Sequence, residues 1–199
     1  NLISKIKKKT KKLFYGKNYI ILDKKFRKKP TKGKYLAINF GGSDPKKITL
    51  KIVKLLNKIN FKIKTFVLVG PLNDGIRMIK KINRLKNLHI MKFEPEKLFN
   101  SNMVICSFGI MSYELIHNKI FSLNISHSTK HSKAANLFEK KYSLSKNLGV
   151  YDTLKSDDFN KKIHYYWNFI NSNFKKKNFN KLKLSQISIN RVTKVILNA

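Results

Sequence analysis

The sequence YLAINFGGSDP, residues 35–45, decides the fold of this chain. Its first half, Tyr35–Phe40, is short and apolar, as a strand that is covered on both faces of a parallel sheet should be. Asp44 is a good N-cap and Pro45 a good first helical residue. Because apolar side chains then recur at helical spacing as far as Ile59, the pattern predicts a strand, a turn and a helix in direct succession.

The two glycines between this strand and helix predict an anion site. Gly41 and Gly42 can adopt positive φ, and they leave no Cβ in the way of a ligand. The N–H groups at the start of the helix would face the same point, just after Ser43, and phosphate is the usual guest there. A plain tight turn between strand and helix is the alternative interpretation.

Strand and helix patterns alternate through the rest of the chain. The strand runs are near-continuously apolar and each is followed by a helix run, which indicates parallel βαβ units. The predicted fold class is therefore α/β, a Rossmann-like parallel sheet with helices on both faces. The predicted strands are Tyr35–Phe40, Lys64–Val69, Leu88–Met91, Met103–Cys106 and Phe121–Ile125, and the predicted helices are Pro45–Ile59, Gly75–Leu85, Pro95–Asn100, Ile110–His117 and Lys130–Lys141.

Three segments are expected along the chain. Residues 1–34 are basic and irregular, residues 35–155 carry the alternating pattern, and residues 156–199 read as basic C-terminal helices. The chain begins at Asn1 rather than Met, which we interpret as the sign of a fragment or a processed chain. The last segment carries an apolar stripe at helical spacing, which predicts a docking surface rather than a cofactor site. This stripe consists of Ile163, Tyr166, Trp167 and Ile170.

Composition restricts the class of protein. The 199 residues include 44 Lys and Arg against 10 Asp and Glu, a formal net charge of +34. Lys, Asn and Ile are enriched together, so the bias of an AT-rich genome accounts for this charge, while a basic nucleic-acid-binding module stays the alternative. Cys106 is the one cysteine and lies in an apolar run, so we expect a buried thiol. We expect a cytoplasmic protein without a membrane span, a metal or a cofactor.

A second glycine turn follows the strand that ends at Cys106. A helix that begins at Ile110 would point its first N–H groups at the same sheet edge as the first turn. Glu114 lies about one turn further, where a carboxylate can accept hydrogen bonds from ribose hydroxyls or merely complement the helix dipole. Ser112 could bind a phosphate or cap the helix. Gly70 ends another strand at this edge, and this clustering of glycines favours a ligand site.

The chain carries no complete catalytic constellation. His131 lies at the start of the last predicted helix, where a hydrogen bond to a ligand and a surface role both remain open, and His127 reads as a surface residue. No metal-ligand spacing such as HExxH is present. A P-loop NTPase is disfavoured because GxxxxGK[ST] is absent, and a NAD site is disfavoured because the first turn lacks the third glycine of GxGxxG.

The order of these motifs resembles the C-terminal half of the PseG and SpsG proteins. These are the UDP-sugar hydrolases of pseudaminic-acid biosynthesis and the related spore-coat polysaccharide proteins; they are similar to the MurG glycosyltransferases and share the two-domain GT-B architecture. The resemblance runs from about residue 13 to residue 150. It rests on GGSDP at residues 41–45, VLVGP at 67–71, SFGIMSYE at 107–114 and His131 before Ala134-Ala135.

The resemblance implies a site for a UDP-sugar or a related nucleotide sugar. The two glycine turns would hold the diphosphate, Glu114 would take the ribose, and backbone near Met91 and Phe93 would meet the uracil. The implied nucleotide-binding and substrate-binding set is Gly41, Gly42, Ser43, Gly70, Met91, Phe93, Gly109, Ile110, Met111, Ser112, Glu114 and His131.

The resemblance also implies that catalysis needs a partner domain. Members of the family draw catalytic groups, including a histidine, from an N-terminal domain, so the isolated chain is expected to be inactive. Many members carry Asn-Gln where this chain has Lys130-His131, and that Asn is implicated in hydrolysis. The donor-binding half of a GT-B glycosyltransferase is therefore an alternative, and an inert fragment that exposes its interdomain face is another.

Overall fold

A computed structural model describes residues 34–173, in which six strands alternate with six helices. Of the predicted segments, residues 1–33 and 174–199 lie outside this description. The strands are β1 (Leu36–Asn39), β2 (Thr65–Val69), β3 (Leu88–Lys92), β4 (Met103–Cys106), β5 (Phe121–Ser126) and β6 (Ser145–Val150). The helices are α1 (Ile48–Lys58), α2 (Ile76–Ile82), α3 (Pro95–Phe99), α4 (Ile110–His117), α5 (Thr129–Lys141) and α6 (Ser156–Asn173).

The strands form one parallel sheet in the order β3-β2-β1-β4-β5-β6, which confirms the predicted Rossmann-like α/β class. The chain adds strands outward from β1 to β3, returns to the centre, and adds β4 to β6 on the other side. In this arrangement Asn39 of β1 lies opposite Cys106 of β4. The two glycine turns therefore leave the sheet side by side at the topological switch point, where open parallel sheets bind ligands.

Apolar side chains cover the sheet in two layers. One layer joins Ala37 and Val104 of the central strands to Leu98 of α3 and Leu115 of α4. On the other face, α6 packs against the sheet, where the ring centroids of Phe121 and Tyr166 lie 5.5 Å apart. Helix α6 also contacts α1. The fully buried members of α6 are Phe159 and Ile163, and Ile170 is 4% exposed.

Two expectations from composition, a buried thiol at Cys106 and a chain without a membrane span, can be compared with the structure. Cys106 is buried, as its apolar run predicts, and desolvation raises the pKa of its thiol to about 12 despite a hydrogen bond with Ser112 that acts in the opposite direction. The thiol is therefore neutral at physiological pH. In the part of the chain from residue 34 to residue 173, no helix is long and apolar enough to cross a membrane.

The sequence pattern misses one strand and extends the C-terminal end of one helix too far. Strand β6 is polar in its first half and includes Gly149 with φ +96°, so it lacks the apolar run typical of a parallel strand. It lies last in the strand order, where less burial is required. Helix α2 ends at Ile82 rather than Leu85, because Asn83 is extended and its Nδ2 donates to the carbonyl oxygens of Leu85 and Leu88 at 3.2 and 3.0 Å.

Candidate functional site

The first glycine turn is shaped by Asn39, the last residue of β1. Its Nδ2 donates to the carbonyl of Leu68 at 2.6 Å, and its Oδ1 accepts from the N–H of Gly41 at 2.9 Å. Gly41 has φ +88°, a conformation that favours glycine, whereas Gly42 does not have positive φ. Both glycines are exposed, and no atom lies within 4 Å of a Cβ added to either. The turn therefore offers bare backbone to an approaching ligand.

Gly70, at the end of β2, supports this turn from behind. A Cβ added to Gly70 would collide with the carbonyl oxygens of Gly41 and Gly42 and would lie 2.6 Å from the Cα of Gly42. The N–H of Leu72 also donates to the carbonyl of Gly42 at 2.9 Å. Gly70 is buried, so its contact is with the turn. Close approach of two backbones is what requires glycine at this position.

The start of α1 differs from its prediction. Asp44 is not the N-cap and Pro45 is not the first helical residue: α1 begins at Ile48, and Lys47 with φ +51° holds the N-cap position. The reason is that Asp44 has φ +45° and its carboxylate accepts from the N–H groups of Ile48 and Thr49 at 2.9 and 2.8 Å. The carboxylate of Asp44 thus occupies the N-terminal end of α1, where the sequence predicts a bound phosphate.

Helix α4, across the switch point, has no side-chain cap. The N–H of Ser112 donates to the Gly109 carbonyl at 3.0 Å, and the N–H of Gly109 donates to Ser112 Oγ at 3.4 Å. Within residues 34–173, the N–H groups of Ile110 and Met111 have no hydrogen-bond acceptor. The positive end of the α4 dipole and two donors are therefore available to an anion.

A buried polar network that the sequence analysis missed lies beneath α4. The Ser112 hydroxyl donates to Asn124 Oδ1 at 2.9 Å, Cys106 Sγ donates to the same oxygen at 3.5 Å, and Asn124 Nδ2 donates to Ser145 Oγ at 2.6 Å. A sequence pattern that indicates this network is FSLNIS, residues 121–126, where every second residue is polar. Ser112 is fully buried and its hydroxyl points into the sheet. Its hydrogen bond therefore positions the start of α4.

The end of β3 and the first turn of α4 meet over one apolar cluster. Met91, Phe93 and Met111 are partly buried and pack against it. The N–H of Phe93 donates to the carbonyl of Val69, which extends the β2–β3 pairing by one residue. Glu114 is partly buried and lies one turn beyond the start of α4. The residues that the resemblance implies for base and ribose are thus on two adjoining elements.

His131 lies in the first turn of α5, beside Phe108 of the turn that precedes α4. Its ring centroid is 5.7 Å from that of Phe108 and 4.2 Å from that of His127. Its backbone N–H donates to Ser128 Oγ, the N-cap of α5, at 3.3 Å. Two side-chain atoms here, His131 Nδ1 and Ser126 Oγ, are buried without a hydrogen-bond partner in the described part of the chain. Such atoms call for a partner, and a ligand is one that would satisfy them.

Ser43, unlike the other implied residues, lines a groove between the starts of α1 and α2. The groove has a volume of about 460 Å³, and its walls include Lys47, Asn73 and Arg77. The remaining implied residues lie at the ends of β1, β2 and β3, at the start of α4 and in the first turn of α5. The carboxyl edge of the sheet therefore gathers these turns at one side of the molecule.

The stability of the fold should fall below about pH 6.5, in part through His131. Desolvation, followed by the charge of His127, lowers the pKa of His131, while a hydrogen bond to the Phe108 backbone opposes this. The unfolded chain therefore takes up this proton first, and stability is lost progressively as the pH falls from the unfolded pKa toward the folded one. His131→Gln should flatten this loss in urea denaturation followed across that pH range.

His127→Gln provides a second test of the lowered pKa of His131. Removing the neighbouring charge should raise the pKa of His131, which NMR titration of its ring protons would detect. An unchanged pH dependence of stability in His131→Gln would show that other groups cause the acid sensitivity.

Comparison with known proteins shows the fold. No protein-family model matches the chain. An uncharacterised protein of Methanocaldococcus jannaschii is 27% identical over an alignment of 119 positions, which covers 52% of this chain and 25% of that protein. The UDP-GlcNAc 2-epimerase of the same organism, solved with UDP-GlcNAc and UDP, has a TM-score of 0.58 at 14% identity and covers 85% of this chain and 46% of its own.

Two glycosyltransferases give similar values. The spinosyn forosaminyltransferase has a TM-score of 0.54 at 15% identity, and the match covers 89% of this chain and 47% of that protein. The kitacinnamycin glycotransferase has a TM-score of 0.53 at 10% identity, and the match covers 86% of this chain and 44% of that protein. The chain thus spans a little under half the length of these solved proteins. These similarities confirm a GT-B-like Rossmann domain, and at such identities they show the fold alone.

Proposed function

We propose that this chain binds a nucleotide sugar, UDP-linked, as one half of a GT-B-type enzyme. The observation that carries the proposal is the uncapped start of α4 at the topological switch point, with the N–H groups of Ile110 and Met111 available and Glu114 one turn beyond. A diphosphate fits the first feature and a ribose diol the second. The solved epimerase to which the fold is similar holds UDP-GlcNAc and UDP, which supports this choice of ligand.

In this proposal the two glycine turns have different tasks. The dipole and N–H groups of α4 bind the diphosphate, since the carboxylate of Asp44 already occupies the start of α1. The turn at Gly41 and Gly42 admits the ligand because it carries no side chain. The uracil lies by the backbone at the end of β3, near Met91 and Phe93, and His131 faces the sugar side.

The reaction that we propose is hydrolysis of the sugar nucleotide, as in the PseG and SpsG proteins, in surface-polysaccharide or pseudaminic-type acid biosynthesis. The four motifs in order support it, and a second domain of the GT-B type would supply the catalytic groups. Lys130-His131 in place of Asn-Gln is the departure from that family. Transfer of the sugar to an acceptor by a GT-B glycosyltransferase is the alternative, favoured by the two glycosyltransferase structures. Release of free sugar and UDP by the full-length protein would distinguish the two reactions.

The binding proposal is tested by calorimetric titration with UDP, 2′-deoxy-UDP and uridine. UDP should bind more tightly than 2′-deoxy-UDP, through Glu114, and far more tightly than uridine, through α4. Glu114→Gln should weaken UDP binding about tenfold, because a neutral amide oxygen accepts a weaker hydrogen bond than a carboxylate, and should reduce the preference over 2′-deoxy-UDP.

Glu96→Gln is the matched control, since Glu96 is an exposed carboxylate in the first turn of α3. It should leave UDP binding unchanged. Absence of binding at millimolar UDP in a folded sample would refute the proposal, and equal effects of the two variants would remove Glu114 from the site.

A further inference from the structure

A basic surface covers the outer side of α1 and α2. The two helices pack together, with Asn57 Nδ2 donating to the Ile82 carbonyl at 2.8 Å and Asn57 Oδ1 accepting from the Arg84 N–H at 3.2 Å. Their sequences, ITLKIVKLLNK and IRMIKKI, contain no acidic residue. We call this surface the basic helix face; its cations are Lys47, Lys51, Lys54, Lys58, Arg77, Lys80, Lys81 and Arg84.

None of these cations is neutralised by an ion pair within residues 34–173. The two ion pairs found in that range, Lys146–Glu139 and Lys162–Asp158, lie on α5, β6 and α6. Seven of the eight side chains are exposed, and Lys51 lies over the ring of Tyr151. The face therefore combines a high density of positive charge with access from solvent.

Two exposed apolar side chains lie on or close to α2 in the sequence: Met78 lies within the helix, and Leu72 lies shortly before it. Leu72 is 78% exposed and Met78 is 51% exposed, and Arg77 lies beside Met78 in the sequence. Met78 and Arg77 also share the groove that reaches to Lys47 at the start of α1. Charged and aliphatic groups on one surface are typical of proteins that lie on a lipid bilayer, where the aliphatic groups enter the headgroup layer.

We propose that the basic helix face binds the anionic surface of a lipid bilayer. Clusters of Lys and Arg of this size are attracted to acidic headgroups, and Leu72 and Met78 would enter between them. A nucleic acid fits less well, because binding of single strands uses aromatic rings on which bases stack and this face presents aliphatic groups instead. Of the residues implied for the nucleotide site, only Ser43 shares the groove with this face, so the proposal does not depend on nucleotide binding.

Sedimentation with vesicles tests the proposal on the full chain. Vesicles of equal parts phosphatidylcholine and phosphatidylglycerol should bind the protein, pure phosphatidylcholine vesicles should not, and added salt should weaken the binding. The triple variant Lys54→Glu, Lys58→Glu, Lys80→Glu should lower the affinity at least about tenfold. The matched control is Lys133→Glu, Lys140→Glu, Lys141→Glu, which changes the net charge equally through exposed lysines of α5; it should lower the affinity less than about threefold.

Two further results decide between a bilayer and other partners. Leu72→Ser with Met78→Ser should weaken vesicle binding while leaving binding to duplex DNA unchanged. Equal losses from the two lysine triples would overturn the proposal in favour of net charge alone. Tighter binding to duplex DNA than to the acidic vesicles at the same salt, lost in the α1–α2 triple, would overturn it in favour of a nucleic acid. Circular dichroism of each variant confirms that the fold is retained.

Discussion

Gly70→Ala is expected to lower the free energy of unfolding by about 3 kcal/mol, at the upper end of what overpacking costs. The added methyl group would meet the backbone of Gly41 and Gly42, which cannot move aside as a side-chain end can. The turn would have to shift as a whole, with loss of the hydrogen bond between Leu72 N–H and the Gly42 carbonyl. Urea denaturation of wild type and variant measures the effect. Calorimetry should also show weaker UDP binding, since the displaced turn would close part of the crevice.

Gly42→Ala is the control for this prediction, because no atom lies within 4 Å of its added Cβ and its φ is not positive. Its free energy of unfolding should stay within about 1 kcal/mol of the wild-type value. Equal destabilisation by both substitutions would mean that loss of glycine flexibility, and not the collision at Gly70, causes the effect.

Asn124→Leu is expected to destabilise the fold by about 3 kcal/mol or more, since each buried polar group left without a partner costs about 1–3 kcal/mol. The amide of Asn124 is the common partner of Ser112, Cys106 and Ser145, and it is fully buried. Leucine has a similar volume but satisfies none of them. Thermal and urea unfolding would measure the loss, and UDP binding should weaken because Ser112 holds the start of α4.

Asn168→Leu makes the same chemical change at an exposed position of α6 and should alter stability by less than about 0.5 kcal/mol. A double-mutant cycle adds a sharper measure. Ser112→Ala and Asn124→Ala should be non-additive, because each removes the same hydrogen bond. Additive effects would show that the two side chains contribute independently to stability.

Much of the fold could be predicted from the sequence because parallel strands covered on both faces must be apolar. This rule applies to β1, β2 and β4, and all three were found; β5 was also found, although every second residue in it is polar. The rule fails for β6, where a strand in the last position of the order tolerates polar residues and Gly149. The start of α1 was wrong for a different reason. Sequence spacing identifies Asp44 as a capping residue, but only the backbone shows that it caps from four and five residues away.

For the candidate site, the sequence indicates which sheet edge carries the glycine turns, and it does not indicate what each residue contacts there. Glycines at strand ends indicate an edge, and the strand order that makes β1 and β4 neighbours then brings two of the turns together. Burial separates their residues into different tasks: Gly70 and Ser112 support the site from within, and Gly41 and Gly42 lie exposed. Asn39 was missed because a single buried amide carries no sequence period of its own, and Asn124 was missed although it belongs to the alternating pattern of residues 121–126. The roles of Glu114, Met91 and Phe93 stay predictions.

The carboxylate of Asp44 makes the start of α1 electrostatically different from the start of α4. With its own anion built in, the end of α1 repels a second negative charge, while the end of α4 attracts one. In the proposed complex, a diphosphate would therefore lie at the start of α4 rather than at the start of α1. The sugar beyond it would then be presented in one direction, toward wherever a catalytic partner stands. Asp44 would in this way set the orientation of the reaction without touching the substrate.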